Sequence, residues 1–559
     1  MTLTTLEQSV DISSQNYYTF IREQFGSDNN RYSKLTGRFY TNEFIYSKLV
    51  QSILDNLNRV NSKLHIIDPF CGDGRLIVHL IEALMKTKKS HNIERIFVSL
   101  WDVDKSAVAE AKNNVIKLNG SVPGLSVLVD TNVGDSFVRA IMHNEKYDIC
   151  ITNPPWCILK PEKEDINYLS SKKARFTYTS VIEEYEIILK KSYKHSMPKK
   201  KSWRWGTNLS RFGAECAMKL VVPNGVCGIV LPASLFSDQV SEPLRKWMFE
   251  DHAVKTITYY PAELKLFGTV DQSSATVVLK KSDSSTTKFT STIYDKNRNC
   301  TDAILDSASV EFVKSTQYVV PFGYDRTLFS IANQLKNLNP LSEYPNIKIG
   351  RELDETRINM RLTASGTLRF IKGFMVGRYS CLSGPVCYLN ATETETAPES
   401  TRYERIAWRD VSRSSQKRRV QATIIPSGTI TGNSLGILYV PEVSHAELAY
   451  ILAVMNSMVF EFQARRQLVT NHVPSGVLKT VSIPPFQEEC IRRIGALADI
   501  ALGSSGLEAT DELECLVAKA YGLTKEDFLH IVDTFPLTDN ELARLQAVAE
   551  KTYGNQEAK

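Results

Sequence analysis

The chain has 559 residues, of which 43% are hydrophobic and 23% charged, with a formal net charge of +5. This composition is typical of a soluble protein with two or three domains, and no stretch approaches the roughly 20 apolar residues that span a bilayer. The N-terminus lacks a signal pattern and the ten cysteines contain no Cys-x-x-Cys pair, so we expect a cytoplasmic protein with reduced thiols, no metal site and no membrane contact.

Residues 1–35 are a polar, partly helical lead-in to a helix pattern over residues 43–60. A glycine, aromatic residues and Thr41 stand just before that helix pattern. They fit two interpretations: a lid over a ligand near the helix start, or a plain helix cap by Thr41 or Asn42.

A predicted strand at residues 64–67 runs into the turn 68–74 and then into a helix pattern from Arg75. The glycines of the turn let a ligand approach the backbone, and the helix start offers unpaired N–H groups. The turn lacks Gly-x-Gly-x-x-Gly, which argues against a dinucleotide, and Asp68 suits an amine-bearing ligand. The alternative is a structural turn between strand and helix.

The next two predicted strands also end in acids. Asp102 follows residues 96–101, where an acid can accept hydrogen bonds from ribose hydroxyls. Asp104 is expected to cap the following helix. After the third strand, at residues 126–129, Asp135 is placed to accept from an adenine amine.

The fourth predicted strand, residues 147–150, leads to Asn153, Pro154, Pro155 and Trp156. The amine of adenine is a poor nucleophile because its lone pair is delocalised into the ring. The Asn153 oxygen and the Pro154 carbonyl can accept its two hydrogens, while the prolines keep the turn rigid and Trp156 offers a stacking face. A tight turn with Trp156 in the core is the alternative.

Helices alternate with these strands, and three more strands are predicted at residues 227–231, 254–260 and 276–280. This pattern predicts a doubly wound, seven-stranded α/β sheet that binds ligands beyond the carboxyl ends of its strands. The polar residues 281–287 are the expected end of the sheet. Phe267 is a candidate second wall opposite Trp156, or a core residue.

Two segments are rich in basic residues. A polar insertion at 160–204 ends in a basic stretch with interleaved aromatic residues, which suits nucleic acid or is a solvated loop. Residues 401–419 surround Trp408 with arginines, which suit guanine edges and phosphates, or form surface salt bridges with Glu404 and Asp410. The candidate DNA contacts are Lys199, Lys200, Lys201, Arg204, Arg409, Arg413, Arg418 and Arg419.

Taken together, these motifs resemble the adenine-specific DNA methyltransferases of bacterial type II restriction–modification systems, and within them the gamma class. Residues 36–41 are similar to the family's N-terminal cofactor motif, residues 68–74 to its first nucleotide-binding motif, and residues 153–156 to its catalytic motif, with Trp156 where Tyr or Phe is usual. Asp102 matches the ribose-binding acid and Asp135 the acid that meets the cofactor's adenine. The C-terminal segments 370–374, 407–412, 424–426 and 432–436 are similar to enzymes that accompany type IIS nucleases.

The resemblance implies an S-adenosylmethionine-dependent, Rossmann-like domain at residues 36–330, a mixed α/β target recognition domain at 331–486 and a helical tail at 487–559. The implied cofactor-binding residues are Tyr40, Thr41, Asp68, Pro69, Cys71, Gly72, Gly74, Asp102, Asp135, Ser136 and Asn153.

The implied activity is methylation of N6 of a flipped-out adenine in double-stranded DNA. The enzyme is expected to be a monomer that protects DNA from a cognate restriction endonuclease. An RNA or protein-glutamine methyltransferase, a fused restriction–modification enzyme and a non-catalytic DNA-binding subunit are the alternatives.

Overall fold

The computed structural model describes residues 3–37, 40–57, 61–87, 93–119, 125–143, 145–199, 207–267, 272–282, 284–355, 362–382, 387–389, 397–413, 416–468, 471–503 and 507–554. The chain divides into two compact units, Met1–Gly323 and Tyr324–Lys559. None of the helices in this described part combines the length and the hydropathy that a membrane crossing requires.

The first unit is built on one large sheet. Its strands are β1 (Lys63–Asp68), β2 (Arg95–Asp102), β3 (Ser126–Val133), β4 (Tyr147–Thr152), β7 (Val221–Pro232), β8 (Ala253–Tyr260), β9 (Ser274–Lys280), β10 (Phe289–Tyr294) and β11 (Cys300–Leu305), while β5 (Ile158–Leu159) and β6 (Thr207–Asn208) form a separate ribbon. The order is β11-β10-β8-β9-β7-β4-β1-β2-β3. β9 runs antiparallel to both of its neighbours, and β1, β2, β3, β4 and β7 are parallel.

Helices cover both faces of this sheet. They are α1 (Leu3–Phe25), α2 (Asn29–Thr36), α3 (Glu43–Asn56), α4 (Arg75–Met85), α5 (Lys105–Ile116), α6 (Ser136–Met142), α7 (Lys163–Tyr168), α8 (Lys172–Ser192), α9 (Leu209–Leu220), α10 (Glu242–Glu250) and α11 (Ser307–Ser315). In β4, Ile149 and Ile151 pack in one apolar core with α3, α4 and α5. Cys150 alternates with them and lies near Cys216 of α9, on the opposite face.

The predicted doubly wound α/β architecture is confirmed, and all seven predicted strands are present. The sheet is larger than predicted, however, because β10 pairs parallel to β8 and β11 pairs antiparallel to β10. Residues 281–287 are therefore a connection and not the end of the sheet. Polar composition predicts a loop here, but it carries no information on whether the chain returns to the sheet edge.

Two predicted connections are largely helical. The N-terminal lead-in forms α1 and α2, and the insertion after the fourth strand forms α7 and α8. α1 and α8 pack on each other through aromatic rings: Tyr17 stacks on Tyr185 with ring centroids 4.9 Å apart, and Phe20 stacks on Tyr178 at 5.9 Å. Contacts between segments so distant in the sequence leave no local pattern.

The second unit combines small sheets with helices. Its strands are β12 (Lys348–Gly350), β13 (Leu362–Thr363), β14 (Leu368–Ile371), β15 (Val376–Gly377), β16 (Ser380–Cys381), β17 (Cys387–Leu389), β18 (Arg405–Arg409), β19 (Ala422–Ile425), β20 (Thr429–Thr431) and β21 (Leu435–Tyr439). They form the sheets β12-β21-β18-β19 and β13-β17-β14-β20 and the hairpin β15-β16.

The helices of the second unit are Arg326–Lys336, His445–Met455, Met458–Arg465, Ser475–Leu478, Glu488–Gly503, Leu507–Ala520, Lys525–Val532 and Asp539–Gly554. The predicted mixed α/β texture and helical tail are present. Thr524 caps the helix Lys525–Val532 in a capping box: its hydroxyl accepts from the Asp527 N–H, and the Asp527 side chain accepts from the Thr524 N–H.

Candidate active site

The turn after β1 is fastened to the end of β4. The Asp68 side chain is fully buried, and its Oδ1 accepts hydrogen bonds from the Thr152 hydroxyl (2.6 Å) and the Phe70 N–H (3.0 Å). Its Oδ2 has no hydrogen-bond partner in the described part of the chain. Burial raises the pKa of Asp68 to about 7, although both hydrogen bonds oppose the shift. Asp68 thus joins two strand ends and is not an open ligand contact.

The end of β2 organises the next part of the turn. Asp102 accepts a hydrogen bond from the Gly72 N–H (3.0 Å) through Oδ2 and from the Asp104 N–H (2.9 Å) through Oδ1. Asp104 caps α5, as the sequence predicts. Gly74 has a φ of +80°, and a Cβ there would lie 2.9 Å from Ala111 of α5. This glycine therefore serves the packing of two helices.

The segment before α3 contains the helix cap, which was one of the two roles predicted for it. Asn42 caps the helix by accepting from the Phe44 N–H (2.9 Å). Thr41 instead accepts a hydrogen bond from Nδ2 of Asn153 (3.1 Å) and so orients the amide of the predicted catalytic motif. Arg38 and Phe39 of the same motif lie outside the described residues.

Two glycines from different segments pack closely against the prolines of the predicted catalytic motif. A Cβ on Gly37 would lie 2.7 Å from Cβ of Pro155, and Gly37 also has a φ of +66°. A Cβ on Gly213 of α9 would overlap Pro154. Any larger residue at either position displaces the loop that carries Asn153. The sequence did not single out Gly213, since a glycine inside a helix pattern gives no indication of its neighbour.

Trp156 and Phe267 contact each other directly. Their ring centroids are 4.7 Å apart with an angle of 50° between the planes, and Phe267 is buried. A base sandwiched between two rings needs them about 7 Å apart, which is two stacking contacts of about 3.5 Å. The predicted pair of walls is therefore together in space but closed, and a base enters only if one ring moves.

A pocket lies between the N-terminal helices and these strand ends. Among the predicted cofactor-binding residues, six line it: Tyr40, Gly72, Asp102, Asp135, Ser136 and Asn153. Pro155 of the predicted catalytic motif also lines it. The described lining residues do not include the other predicted cofactor residues, Thr41, Asp68, Pro69, Cys71 and Gly74. Thr41 and Asp68 instead form hydrogen bonds with Asn153 and Thr152.

Side chains from α1 and α2 complete this pocket, which the sequence did not predict. Tyr18 and Tyr32 form part of the wall, together with Phe70 and Val103. The only signal for them was a run of aromatic residues in a polar helical segment.

The Asp135 carboxylate already accepts hydrogen bonds from other groups of the protein. Its Oδ2 accepts from the hydroxyls of Ser14 (2.6 Å) and Tyr185 (2.7 Å), and its Oδ1 accepts from the Phe137 N–H (2.9 Å). Burial raises the pKa of Asp135, and these hydrogen bonds act in the opposite direction. An adenine amine must displace one of the hydroxyls to bond this carboxylate, so Asp135 first of all fastens α1 and α8 to the pocket.

The chemistry of the lining fits a nucleoside. Asp102 offers a carboxylate for sugar hydroxyls, and the rings of Tyr18, Tyr40 and Phe70 offer flat faces for a base. The described lining residues include no lysine or arginine, which disfavours a phosphate.

The predicted DNA-binding residues are scattered. Lys199 pairs with Glu242 at 2.5 Å, and Lys200, Lys201 and Arg204 lie outside the described residues. Arg413 is exposed. Arg409 donates to the carbonyls of Gly373 (3.2 Å), Phe374 (3.2 Å) and Val376 (2.8 Å).

Arg418 and Arg419 are buried, which corrects their prediction as DNA contacts. Arg418 forms ion pairs with Glu461 (3.2 Å) and Glu514 (2.6 Å). Arg419 donates to the carbonyls of Leu468 and Ser412. Guanidinium groups enclosed in this way hold the unit together and do not reach a phosphate. The predicted surface partners also differ, because Asp410 pairs with Arg351 and His472, and Glu404 pairs with His445.

Comparison with known proteins gives a family model and several similar chains. The model of the family described as N-6 DNA Methylase matches residues 9–307, more than half of the chain. The type II methyltransferase M.VspI of Vibrio sp. (strain 343) is 28% identical over 135 residues. That match spans 24% of this chain and 28% of the relative's length.

Solved structures with a similar fold include two restriction–modification enzymes and the DrdV–DNA complex. The type IIL enzyme MmeI in complex with DNA gives a TM-score of 0.53 at 12% identity, over 97% of this chain and 82% of that one. The DrdV–DNA complex gives 0.51 at 12% identity, over 87% and 59%. A nuclease-deletion mutant of the type ISP enzyme LlaGI, bound to a DNA substrate mimic, gives 0.50 at 15% identity, over 87% and 56%.

Proposed function

Because the chain belongs to the N-6 DNA methylase family, we propose that it transfers a methyl group from S-adenosylmethionine to N6 of an adenine in duplex DNA. The observation that carries the proposal is the position of Asn153. It follows the end of β4, lines the pocket and is oriented by Thr41. Target amine and methyl donor would meet at this residue.

Asn153 and Pro154 would orient the target amine. Since Thr41 accepts from Nδ2 of Asn153, the amide presents Oδ1 as its acceptor, and the Pro154 carbonyl supplies a second one. Holding both hydrogens draws the nitrogen towards tetrahedral geometry and directs its lone pair at the donor. Positioning then provides most of the rate enhancement. No strong general base is needed, because the proton leaves once the nitrogen has become cationic.

The adenine must leave the helix before it reaches this loop. Flipping costs a few kcal/mol, and stacking on an aromatic ring returns about 1–3 kcal/mol. In this chain the ring is Trp156, and its contact with Phe267 has to open first. Base entry therefore requires a local rearrangement of the two rings.

The pocket residues would hold the cofactor beside that loop. Asp102 is placed for the ribose hydroxyls and Tyr18, Tyr40 and Phe70 for the adenine ring. When bound, S-adenosylmethionine supplies an electrophilic methyl group on its sulfonium. The role in the cell would be modification of host DNA, acting as a monomer against a cognate restriction endonuclease.

The test is incubation of the full chain with S-adenosylmethionine carrying a labelled methyl group. Duplex DNA, single-stranded RNA and glutamine-containing peptide are offered in parallel, and the labelled product is identified by mass spectrometry of nucleosides and peptides. We expect label in N6-methyladenine from duplex DNA. Label confined to RNA or to peptide glutamine would establish one of the alternative activities instead.

A further inference from the structure

One surface of the second unit combines a fixed arginine with exposed apolar side chains. We call it the Arg351 patch, and its members are Arg351, Phe374, Leu382, Val411 and His472. Their proximity follows from the backbone: Val411 forms a β-bridge with His472, and the Leu382 N–H donates to the carbonyl of Met375 (2.7 Å), the residue after Phe374. Arg409, beside Val411 through Asp410, donates to the Phe374 carbonyl (3.2 Å).

A buried carboxylate orients the polar part of this patch. Asp410 accepts from a terminal nitrogen of Arg351 (2.8 Å) through one oxygen, and its other oxygen lies 2.7 Å from Nδ1 of His472. The Asp410 side chain is only 6% exposed, whereas those of Arg351 and His472 are 46% and 56% exposed. Asp410 is fixed in turn, because its N–H donates to Ser434 (3.0 Å) and its carbonyl accepts from Val473 (2.7 Å).

This arrangement distinguishes Arg351 from the neighbouring arginines. Arg405, Arg418 and Arg419 are buried and bond within the unit. Arg351 uses one terminal nitrogen on Asp410 and keeps its remaining donors on an exposed side chain. A guanidinium held in this way loses little conformational freedom on binding, and its fork matches O6 and N7 of guanine.

The apolar members are unusual for their surroundings. Among the described residues of the second unit, the exposed large hydrophobic side chains are Phe374, Leu382, Val411 and Ile500. Three of these four belong to the patch. Their backbone is held by Arg409, which donates to the carbonyls of Gly373 and Val376 as well as Phe374. Apolar side chains on a fixed backbone suit the thymine methyl group or the gap between two base pairs.

We propose that the Arg351 patch reads base pairs of duplex DNA, with Arg351 bonding a guanine edge and Phe374 and Val411 contacting the neighbouring bases. The inference rests on the proposed function in taking duplex DNA as the partner. The exposed Arg413, two positions after Val411, adds a second cation beside the patch.

The experiment is selection of bound duplexes from a randomised DNA pool at one fixed salt concentration, using the full chain and no methyl donor. The key variant is Arg351→Lys, which keeps the charge and can still pair with Asp410 but lacks the two-pronged donor. Its matched control is Arg493→Lys, another exposed arginine in an ion pair, with Glu512 at 3.4 Å. Thermal unfolding of each variant reports whether the fold is kept.

We expect the wild type to enrich one sequence, and Arg351→Lys to lose about 5- to 150-fold of the preference at one base pair of it. Arg493→Lys should keep the wild-type preference. Phe374→Ser and Val411→Ser alter exposed side chains only and should weaken the base preference at the neighbouring base pairs. They test the proposal if Arg351→Lys unfolds the protein. An Arg351→Lys protein with wild-type preference, or a wild type that enriches no sequence, would overturn the proposal.

The readout separates this inference from the methyl transfer. If enrichment depends on Arg351 but the chain methylates no DNA, base reading by the patch is supported and the proposed methyl transfer is contradicted. If the chain methylates a specific sequence and Arg351→Lys does not alter that sequence, methyl transfer is supported and base reading by Arg351 is contradicted. Enrichment that depends on the arginines of residues 401–419 and not on Arg351 would assign base reading to the arginine-rich segment instead.

Discussion

The polar residues at the strand ends of the first unit and the arginines of the second unit were both predicted to contact ligands, and they differ in outcome. Asp102, Asp135 and Asn153 follow three different strands, and all of them line one pocket. Arg405, Arg418 and Arg419 are clustered in the sequence, yet they point into the interior. The position of a residue after a strand predicts the strand-end group, whereas only the arginine-rich composition predicts the second group.

The difference has a physical origin. Parallel strands bring their carboxyl ends to one edge of the sheet, so a residue's place after a strand already determines its neighbourhood. An arginine-rich segment carries no such constraint, and acids elsewhere in the chain decide whether it turns inwards. Here those acids are Glu352, Glu461 and Glu514, the last of which is 96 positions from Arg418.

Replacing Arg418 should produce the largest change in stability. It compares a buried arginine with the exposed Arg413. Arg418→Met leaves Glu461 and Glu514 buried without this cation, which costs about 3–5 kcal/mol. Arg413→Met, at an exposed position, should change the free energy of unfolding by less than about 0.5 kcal/mol. Equal thermal unfolding of the two variants would show that Arg418 is not held as described.

Asp68 should make stability depend on pH. Its pKa in the folded chain is about 7, above the ordinary value of 3.8. Its contribution to stability is therefore complete below about pH 4 and is lost as the pH rises through 7, by about 1.4 kcal/mol for each pH unit between these values. Urea unfolding at pH 5 and pH 8 should show a smaller decline for Asp68→Asn than for the wild type. A constant difference between the two proteins would contradict the assignment.

Removing a hydroxyl that bonds to Asp135 should change stability less, and it tests whether residues far from any strand end affect the pocket. Ser14→Ala or Tyr185→Phe removes one hydrogen bond from a buried carboxylate, which costs about 1–3 kcal/mol. Cofactor binding, measured by calorimetry, should weaken in both. Ser13→Ala, one position away on α1, is the control, and identical behaviour of Ser13→Ala and Ser14→Ala would refute a structural link between α1 and the pocket.

Much of the first unit could be predicted from the sequence, because alternating strands and helices are local patterns. The resemblance to N6-adenine methyltransferases of restriction–modification systems is confirmed at the level of the family. What could not be predicted depends on long-range contacts. Ser14 lies 121 positions from Asp135, and neither Tyr18 nor Gly213 has a neighbour in the sequence that indicates its place at the site.

The second unit was predicted less well for the same reason. Its short strands pair across long separations, and Asp410 joins Arg351 to His472 from positions 59 and 62 residues away. Composition predicted a surface rich in arginine, whereas Arg351, outside that segment, is an exposed arginine held by a buried carboxylate.

The central claim is that Asn153 orients an adenine amine for methyl transfer. The most direct measurement compares wild type and Asn153→Ala for labelled methyl transfer into duplex DNA, with cofactor binding measured in parallel by calorimetry. We predict that transfer falls by about 100-fold or more, as for removal of one oriented polar group in an active site, while cofactor affinity changes little. Asn153→Ala protein that methylates DNA at the wild-type rate would contradict the account.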